Sequence, residues 1–282
     1  MPEGDTIFRA ARTLNRALAG HVVTRFETQL PQLARLDYDT PVVGRTVHSV
    51  DAAGKWMRMY FSGDLILLTH MLMSGSWHIY RLREPWKRGR IHMRVAVYTT
   101  EFVAVAFNVP IAEFHTAASL ARHRSVQLLG PNVLGEDFDE AAAAQRLREL
   151  ASWEVGEALL RQSVVAGLGN VFKSEVCFAS RVHPFRLVGS LADAELLALM
   201  GNARRFMLSN VTDNAGDQIV TYTGMRRTTG RSDPEERLWV YKRGGEACRE
   251  CGTAIESRKQ GLDARVTFWC PQCQPLRGGR EP

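Results

Sequence analysis

Long apolar runs are missing from this 282-residue chain: no uninterrupted stretch approaches the roughly 18 residues that a membrane-spanning helix needs, so no membrane association is expected. An apolar leader is missing too, because Asp5, Arg9 and Arg12 interrupt the start, and a cytoplasmic location is expected. Cysteine is scarce, five in all, which leaves no disulfide-rich framework. There are no internal repeats, which removes solenoids and propellers. A large excess of one charge is also absent. Lys and Arg number 36 against 30 Asp and Glu, a net charge of +6, and that moderate basicity favours a polyanionic partner without establishing one. What remains is a chain with enough apolar residues for real cores and more length than one core usually organises, so two or more domains are expected.

The few cysteines are placed tellingly. Four of them form Cys248-x2-Cys251 and Cys270-x2-Cys273, separated by the 18 residues 252–269. Each pair is spaced to give two thiolates to one tetrahedral Zn2+, and the intervening segment is long enough for a β-hairpin. Four sulfur ligands leave no position for water, so one structural zinc is expected. The fifth, Cys177, lies in an apolar helical context and reads as a core residue.

Along the chain, Ile7, Ala10, Ala11, Leu14 and Leu18 recur at helical spacing over residues 5–19, with Gly20 as a stop. From about 22 to 115 the pattern changes to short β-rich runs, among them 56–61, 65–69 and 95–99, which suggests a sandwich or barrel. Gly130-Pro131-Asn132 marks a boundary, after which 137–151, 156–164, 170–179 and 192–209 read as helices. The polar stretch Thr228 to Glu236 reads as a loop before the cysteine module.

Two segments carry chemistry. Removal of Met1 would leave Pro2 with a secondary α-amine, whose pKa near 8 keeps a substantial neutral, nucleophilic fraction at physiological pH. Attack on a sugar aldehyde carbon would give an iminium, with Glu3 beside it as a general acid. Further on, Gly167-Leu168-Gly169-Asn170 joins an apolar helix end to a new helix. The glycines allow close approach of a ligand, and Asn170 with the helix N-terminus favours an anion such as DNA phosphate. The same segment could also simply pack as a helix-turn-helix.

Taken together, Met1-Pro2-Glu3-Gly4, Ala53-Gly54-Lys55, Gly167 through Glu175, and Arg265-Val266-Thr267-Phe268-Trp269-Cys270 resemble the formamidopyrimidine-DNA glycosylase/endonuclease VIII family, in that family's order and over nearly the whole chain. The resemblance implies an α+β architecture with an N-terminal helix and β-sandwich domain over 1–118. A helix-two-turn-helix DNA-binding domain over 119–235 and a four-cysteine zinc finger with a short tail over 236–282 would follow. It implies a monomeric base-excision-repair enzyme on damaged DNA, duplex or single-stranded, held near the bacterial nucleoid by that binding. Oxidised-base removal would run through a Schiff base on Pro2, and strand cleavage by β,δ-elimination.

By the same resemblance, Glu3 gives acid or base help at the sugar and Lys55 assists base departure and β-elimination. Arg265 grips the phosphate flanking the lesion and is linked to δ-elimination, and Asn170 binds a phosphate. Amine attack at C1′ requires the nucleotide to leave the stack. The vacated space would be filled by Leu72 and Met73, from the stretch His70-Met71-Leu72-Met73-Ser74-Gly75, unless that stretch is a buried strand. His92 falls where part of the family contacts DNA phosphate.

The chain departs from the 8-oxoguanine branch, which begins Pro-Glu-Leu-Pro-Glu and carries an Arg-Arg-Phe. Here the stretches read Pro2-Glu3-Gly4-Asp5-Thr6 and Val109-Pro110-Ile111-Ala112-Glu113-Phe114, without arginine. The start is closer to endonuclease VIII, although Thr6 stands where that branch has glutamate. Oxidised pyrimidines are therefore the expected substrates. A non-catalytic DNA binder, an 8-oxoguanine-directed enzyme, and an unrelated enzyme using an N-terminal proline as base remain the alternatives.

Overall fold

The computed structural model describes residues 2–211, 219, 226–231, 233 and 235–276. They fall into two compact units, 2–128 with Ile219 and 129–211 with 226–276. No helix among the described residues is long and apolar enough to cross a membrane.

The N-terminal unit opens with α1 (Gly4–Leu18), whose Ile7, Ala11, Leu14 and Leu18 form the buried stripe that its spacing predicts. Glu3 is its N-cap in extended conformation, and the Glu3 carbonyl accepts the Thr6 and Ile7 N–H groups. Behind α1 lie two four-stranded antiparallel sheets. One runs in the order β2 (Val47–Ala53), β3 (Trp56–Phe61), β4 (Leu65–His70), β8 (Ile111–His115). The other runs β1 (Arg25–Thr28), β6 (Met93–Tyr98), β7 (Phe102–Phe107), β5 (Ser76–Arg81). Met57, Met59, Leu67, Trp77, Ile79, Val95, Val97 and Ala104 from both sheets share one core with α1, so this is the sandwich. The outer face of the second sheet carries Tyr80, Met93, Val105 and Phe107, against which Trp86 packs.

One helix in this region was not expected. α2 (Pro31–Asp39) begins with proline in its first turn, but of its apolar side chains only Leu33 is buried, so it lacks the stripe that marks a helix in sequence. Two short helices, α3 (Ala117–Leu120) and α4 (Arg124–Gln127), close the unit.

The C-terminal unit contains α5 (Glu140–Arg148), α6 (Val155–Ala158), α7 (Asn170–Ala179), α8 (Asp193–Val211) and a hairpin of β9 (Glu256–Gln260) with β10 (Arg265–Trp269). α5 starts where Asp139 Oδ1 accepts the N–H groups of Ala141 and Ala142, at 2.8 and 3.1 Å. The helix read over 156–164 is only the single turn of α6. Beyond it the Gln162 amide binds Leu160 O, Leu168 O and Gly167 N, fixing a tight non-helical course that the glycines then follow.

Helix α7 is buried along nearly all its length, including its charged residues. The fully buried Glu175 carboxylate accepts the backbone N–H groups of Trp239, Val240 and Tyr241 at 2.8 to 2.9 Å, and the Thr228 hydroxyl. The chain entering the cysteine module is thus tied to α7 by one side chain. Glu175→Ala would strand several buried donors and is expected to destabilise this unit by about 3 to 5 kcal/mol. The shift in denaturant midpoint measures it, and a change under about 1 kcal/mol would mean that water replaces the carboxylate.

Candidate functional site

The N-terminal unit brings together the first group of expected residues. Pro2, at the mouth of α1, lines a pocket of about 130 Å3 together with Thr6, Thr13, Met71, Gly75, Trp77 and His78. That volume is several times the roughly 10 to 15 Å3 that admits one water, so a small ring can enter. Glu3 directly behind is fully buried, while Met1 lies outside the described residues.

Lys55 occupies the two-residue turn between β2 and β3, where Ala53 pairs with Trp56. Gly54 precedes it at φ +58°, the first central position at which such hairpins take glycine. The Lys55 charge reaches His70, whose pKa is lowered to about 4, first by burial and then by that ammonium. His70 is therefore neutral at pH 7, and its Nδ1 accepts the Leu72 N–H at 3.1 Å. Leu72 sits in the left-handed region at φ +44°, 45% exposed, and Met73 is 62% exposed. These two residues form an exposed turn, not a buried strand. Gly75 closes the turn by donating to Met71 O at 2.8 Å, and a Cβ there would lie 2.5 Å from that same oxygen, so only glycine fits.

His92 is exposed at the end of a 3-10 turn, its Nδ1 3.2 Å from Asn108 Oδ1. The stretch Val109 to Phe114 runs into β8, which pairs along β4, with Leu68 opposite Glu113. Sequence reasoning missed His78, a pocket-wall residue with a pKa also lowered to about 4 by burial and by Arg88 and Lys87. A lone histidine in a strand carries no spacing signal.

Three histidines, 70, 78 and 183, share this depression. Each is neutral in the fold yet takes a proton near pH 6.5 when unfolded. Their stabilising contribution is therefore complete above pH 6.5 and is lost progressively as pH falls toward 4. The unfolding midpoint is expected to fall between pH 6.5 and 5, and His70→Asn is expected to flatten that slope. Identical slopes in the two proteins would exclude His70 as a contributor.

The C-terminal unit brings together the second group. Asn170 is the first residue of α7, after Gly167 at φ +110° and Gly169 at the N-cap. Its Nδ2 donates to Val266 O at 2.9 Å, while its buried Oδ1 has no hydrogen-bond partner. Asn170 thus lies against β10 beside Arg265. Arg265 is 39% exposed, with Asp263 at 4.0 Å, a loose surface contact of little energetic weight.

The thiols of Cys248, Cys251, Cys270 and Cys273 converge, with Sγ atoms 3.9 Å apart for 248 and 273 and 3.4 Å for 251 and 270. Tetrahedral Zn–S bonds of about 2.3 Å require sulfur separations of roughly 3.8 Å, so the set fits one zinc. Cys177 is fully buried and its thiol is pushed up to about 12 by burial, consistent with packing alone.

Comparison with known proteins matches the formamidopyrimidine-DNA glycosylase N-terminal domain over residues 1–110 and the formamidopyrimidine-DNA glycosylase H2TH domain over 129–221. The zinc finger found in FPG and IleRS matches over 245–276. The chain is 38% identical to the probable endonuclease 8 2 of Streptomyces coelicolor across 99% of its own length and 98% of that protein. The chain belongs to the formamidopyrimidine-DNA glycosylase/endonuclease VIII family. Within this family it is also 34% identical to the DNA-(apurinic or apyrimidinic site) lyase Nei2 of Mycolicibacterium smegmatis, over 97% of the chain and 99% of that protein. It is 32% identical to the formamidopyrimidine-DNA glycosylase of Symbiobacterium thermophilum, over 99% and 91%. The Lactococcus lactis Fpg in complex with abasic-site DNA has the same fold, with a TM-score of 0.78 at 22% identity over 97% of this chain and 99% of that one. The family's zinc finger accounts for the four-cysteine site as one structural zinc.

Proposed function

We propose that this chain is a monomeric, bifunctional DNA glycosylase and AP lyase of base excision repair that uses Pro2 as its nucleophile and prefers oxidised pyrimidines. One observation carries the reading. Pro2 lines a pocket directly ahead of the buried Glu3, in a chain 34 to 38% identical along its length to proteins named endonuclease 8 and AP lyase.

The neutral Pro2 nitrogen attacks C1′ of a nucleotide turned out of the stack, and the glycosidic bond breaks with its electron pair leaving on the base, which takes up a proton. Lys55 assists that departure; the Pro2 nitrogen gives up its proton, the C1′–O4′ bond breaks as the C1′=N bond forms, and Glu3 supplies the proton that O4′ takes up. The resulting iminium acidifies C2′, so loss of a proton there expels the 3′-phosphate, and a second elimination expels the 5′-phosphate. Arg265, Asn170 and His92 bind phosphates, and Leu72 and Met73 fill the vacated stack. For the last pair the support is exposure of two apolar side chains on a turn held by His70 and Gly75.

The pyrimidine preference rests on the Pro2-Glu3-Gly4-Asp5 start and on the absence of arginine from Val109 to Phe114. Single-turnover excision on duplex and single-stranded substrates tests it. Oxidised pyrimidines are expected to be released about tenfold faster or more than 8-oxoguanine opposite cytosine, a difference of about 1.4 kcal/mol in transition-state binding. Faster release of 8-oxoguanine would overturn the preference and leave the mechanism standing.

A further inference from the structure

A second convergence of ligand-type side chains lies in the N-terminal unit, outside the pocket described above. Glu113 and His115 are two residues apart on β8, so strand alternation puts them on one face. The chain then turns through α3, where Thr116 and Ser119 form a reciprocal capping box, and returns His123 to the same place. Glu113 Oε2 lies 3.1 Å from His115 Nε2 and 3.4 Å from His123 Nε2. One ligand atom from each residue lies within 4.8 Å of the others.

The surrounding hydrogen bonds give this cluster its direction. Ser119 Oγ accepts the Thr116 N–H at 2.9 Å, and its single proton can go to Thr116 O at 3.2 Å or to His115 Nδ1 at 3.1 Å. When that proton goes to Thr116 O, His115 Nδ1, 3.1 Å away, is the donor in its contact with the hydroxyl. In that tautomer Nε2 turns to the Glu113 carboxylate oxygen and is open to a ligand there. A proton or a metal ion between Nε2 and that oxygen makes the 3.1 Å contact favourable, and the two nitrogens of His115 and His123 converge on the one oxygen as ligands of a shared ion would. Buried His123 Nδ1 has no hydrogen-bond partner; the ring packs edge-on against Trp56 and His115, each at 5.3 Å, with Nε2 turned to Glu113. The His115 arrangement is how metal-binding imidazoles are commonly held, one nitrogen oriented by an outer hydrogen bond and the other turned to the ion.

We propose that Glu113, His115 and His123 form a second divalent metal site, taking Zn2+ or an ion of similar ligand preference. Bonds of about 2.0 to 2.2 Å from a tetrahedral ion require ligand separations of roughly 3.3 to 3.6 Å; the 3.4 Å distance to His123 falls in that range and the 3.1 Å distance to His115 lies just below it. Two imidazoles and one carboxylate suit zinc better than calcium or magnesium, which take oxygen ligands. The histidine side chains are 15 and 18% exposed and Glu113 is 40% exposed, so the fourth position opens to solvent. The metal would anchor the far end of β8 against Trp56, whose ring meets His123 at 5.3 Å and His70 at 4.8 Å. Trp56 follows Lys55 directly, and a filled site would stiffen the strand that carries the Lys55 turn.

The test is metal counting on the full chain, after saturation with Zn2+ and removal of free ion. Wild type is expected to hold two equivalents, the His115→Ala/His123→Ala and Glu113→Gln proteins one. Zn2+ added to protein loaded only at its cysteines is expected to shift the ring resonances of His115 and His123 in the wild type, a readout that needs no variant to fold. Saturation at one equivalent with unmoved histidine signals would overturn the proposal, as would a second equivalent that survives the double substitution.

Discussion

Pro2→Gly is expected to abolish the borohydride-trapped adduct on abasic-site DNA and to slow base release by about 100-fold or more, while DNA affinity stays within a few-fold of wild type. The replacement keeps an α-amine of ordinary basicity and removes the pyrrolidine ring. That ring fixes φ and leaves the nitrogen lone pair one main direction beside the pocket wall, where glycine samples many. Misplacing a nucleophile by about 1 Å costs on the order of 100-fold in rate, so preserved basicity does not rescue the reaction. The Glu3 side chain accentuates the loss, because it is fully buried on a backbone fixed as the α1 N-cap and cannot follow a wandering amine. Trapping at the wild-type rate would move the nucleophile to another amine, with Lys55 the first to test. Intact binding with no adduct on any substrate, in the wild type itself, would make the chain a non-catalytic binder.

Removal of zinc from the four cysteines, by chelation or by Cys270→Ser, is expected to collapse the β9–β10 hairpin and weaken DNA binding by tenfold or more. Structural zinc in finger peptides contributes about 10 to 16 kcal/mol of apparent folding free energy, as much as the whole stability of many domains. Here Cys248 and Cys270 also share an apolar cluster with Phe178, Val240 and Ile255, so losing the metal opens packing against α7. Arg265 stands on β10 and Asn170 binds the Val266 carbonyl, so both proposed phosphate ligands depend on the hairpin. One charge-assisted hydrogen bond contributes about 1.5 to 3 kcal/mol, which sets the scale of tenfold or more. The salt dependence of binding should also become shallower, by roughly 0.9 in log–log slope for each DNA phosphate that the protein no longer neutralises. Hydrogen exchange in residues 2–128 should not change. Unchanged affinity after complete metal removal would mean that Arg265 does not touch the DNA.

The strands and helices with strong periodicity were legible in the sequence: α1, β3, β4, β6, α7 and α8 all lie where apolar spacing puts them. α2 was not legible because it buries one leucine, and the stretch 156–164 read as helical because its apolar residues satisfy a buried turn equally well. The cysteine quartet and the Pro2-Glu3 start were readable because fixed spacing and terminal position encode them locally. His78 at the pocket wall and the Glu113, His115 and His123 cluster were not. Their meaning comes from which strand neighbours and turns bring ring nitrogens into line, and no short spacing records that. Glu175 belongs to a readable motif, yet its grip on residues 239–241 became visible only once the fold put those amides around it.

Gln260 has a consequence for how such proteins could be recombined. At the end of β9, its amide donates to Glu154 Oε2 and Pro184 O, while its Oε1 accepts from Thr267, whose hydroxyl in turn meets the buried Lys173 ammonium at 2.5 Å. A Cβ on Gly156 would come within 2.4 Å of that Oε1. The cysteine module is therefore no interchangeable cassette. A chimera that imports residues 245–276 from a relative lacking Gln260 and Thr267 would remove the hydroxyl that the buried Lys173 ammonium meets and the amide that ties β9 to Glu154 and Pro184, so the residues facing the hairpin would have to be matched to it in the same step.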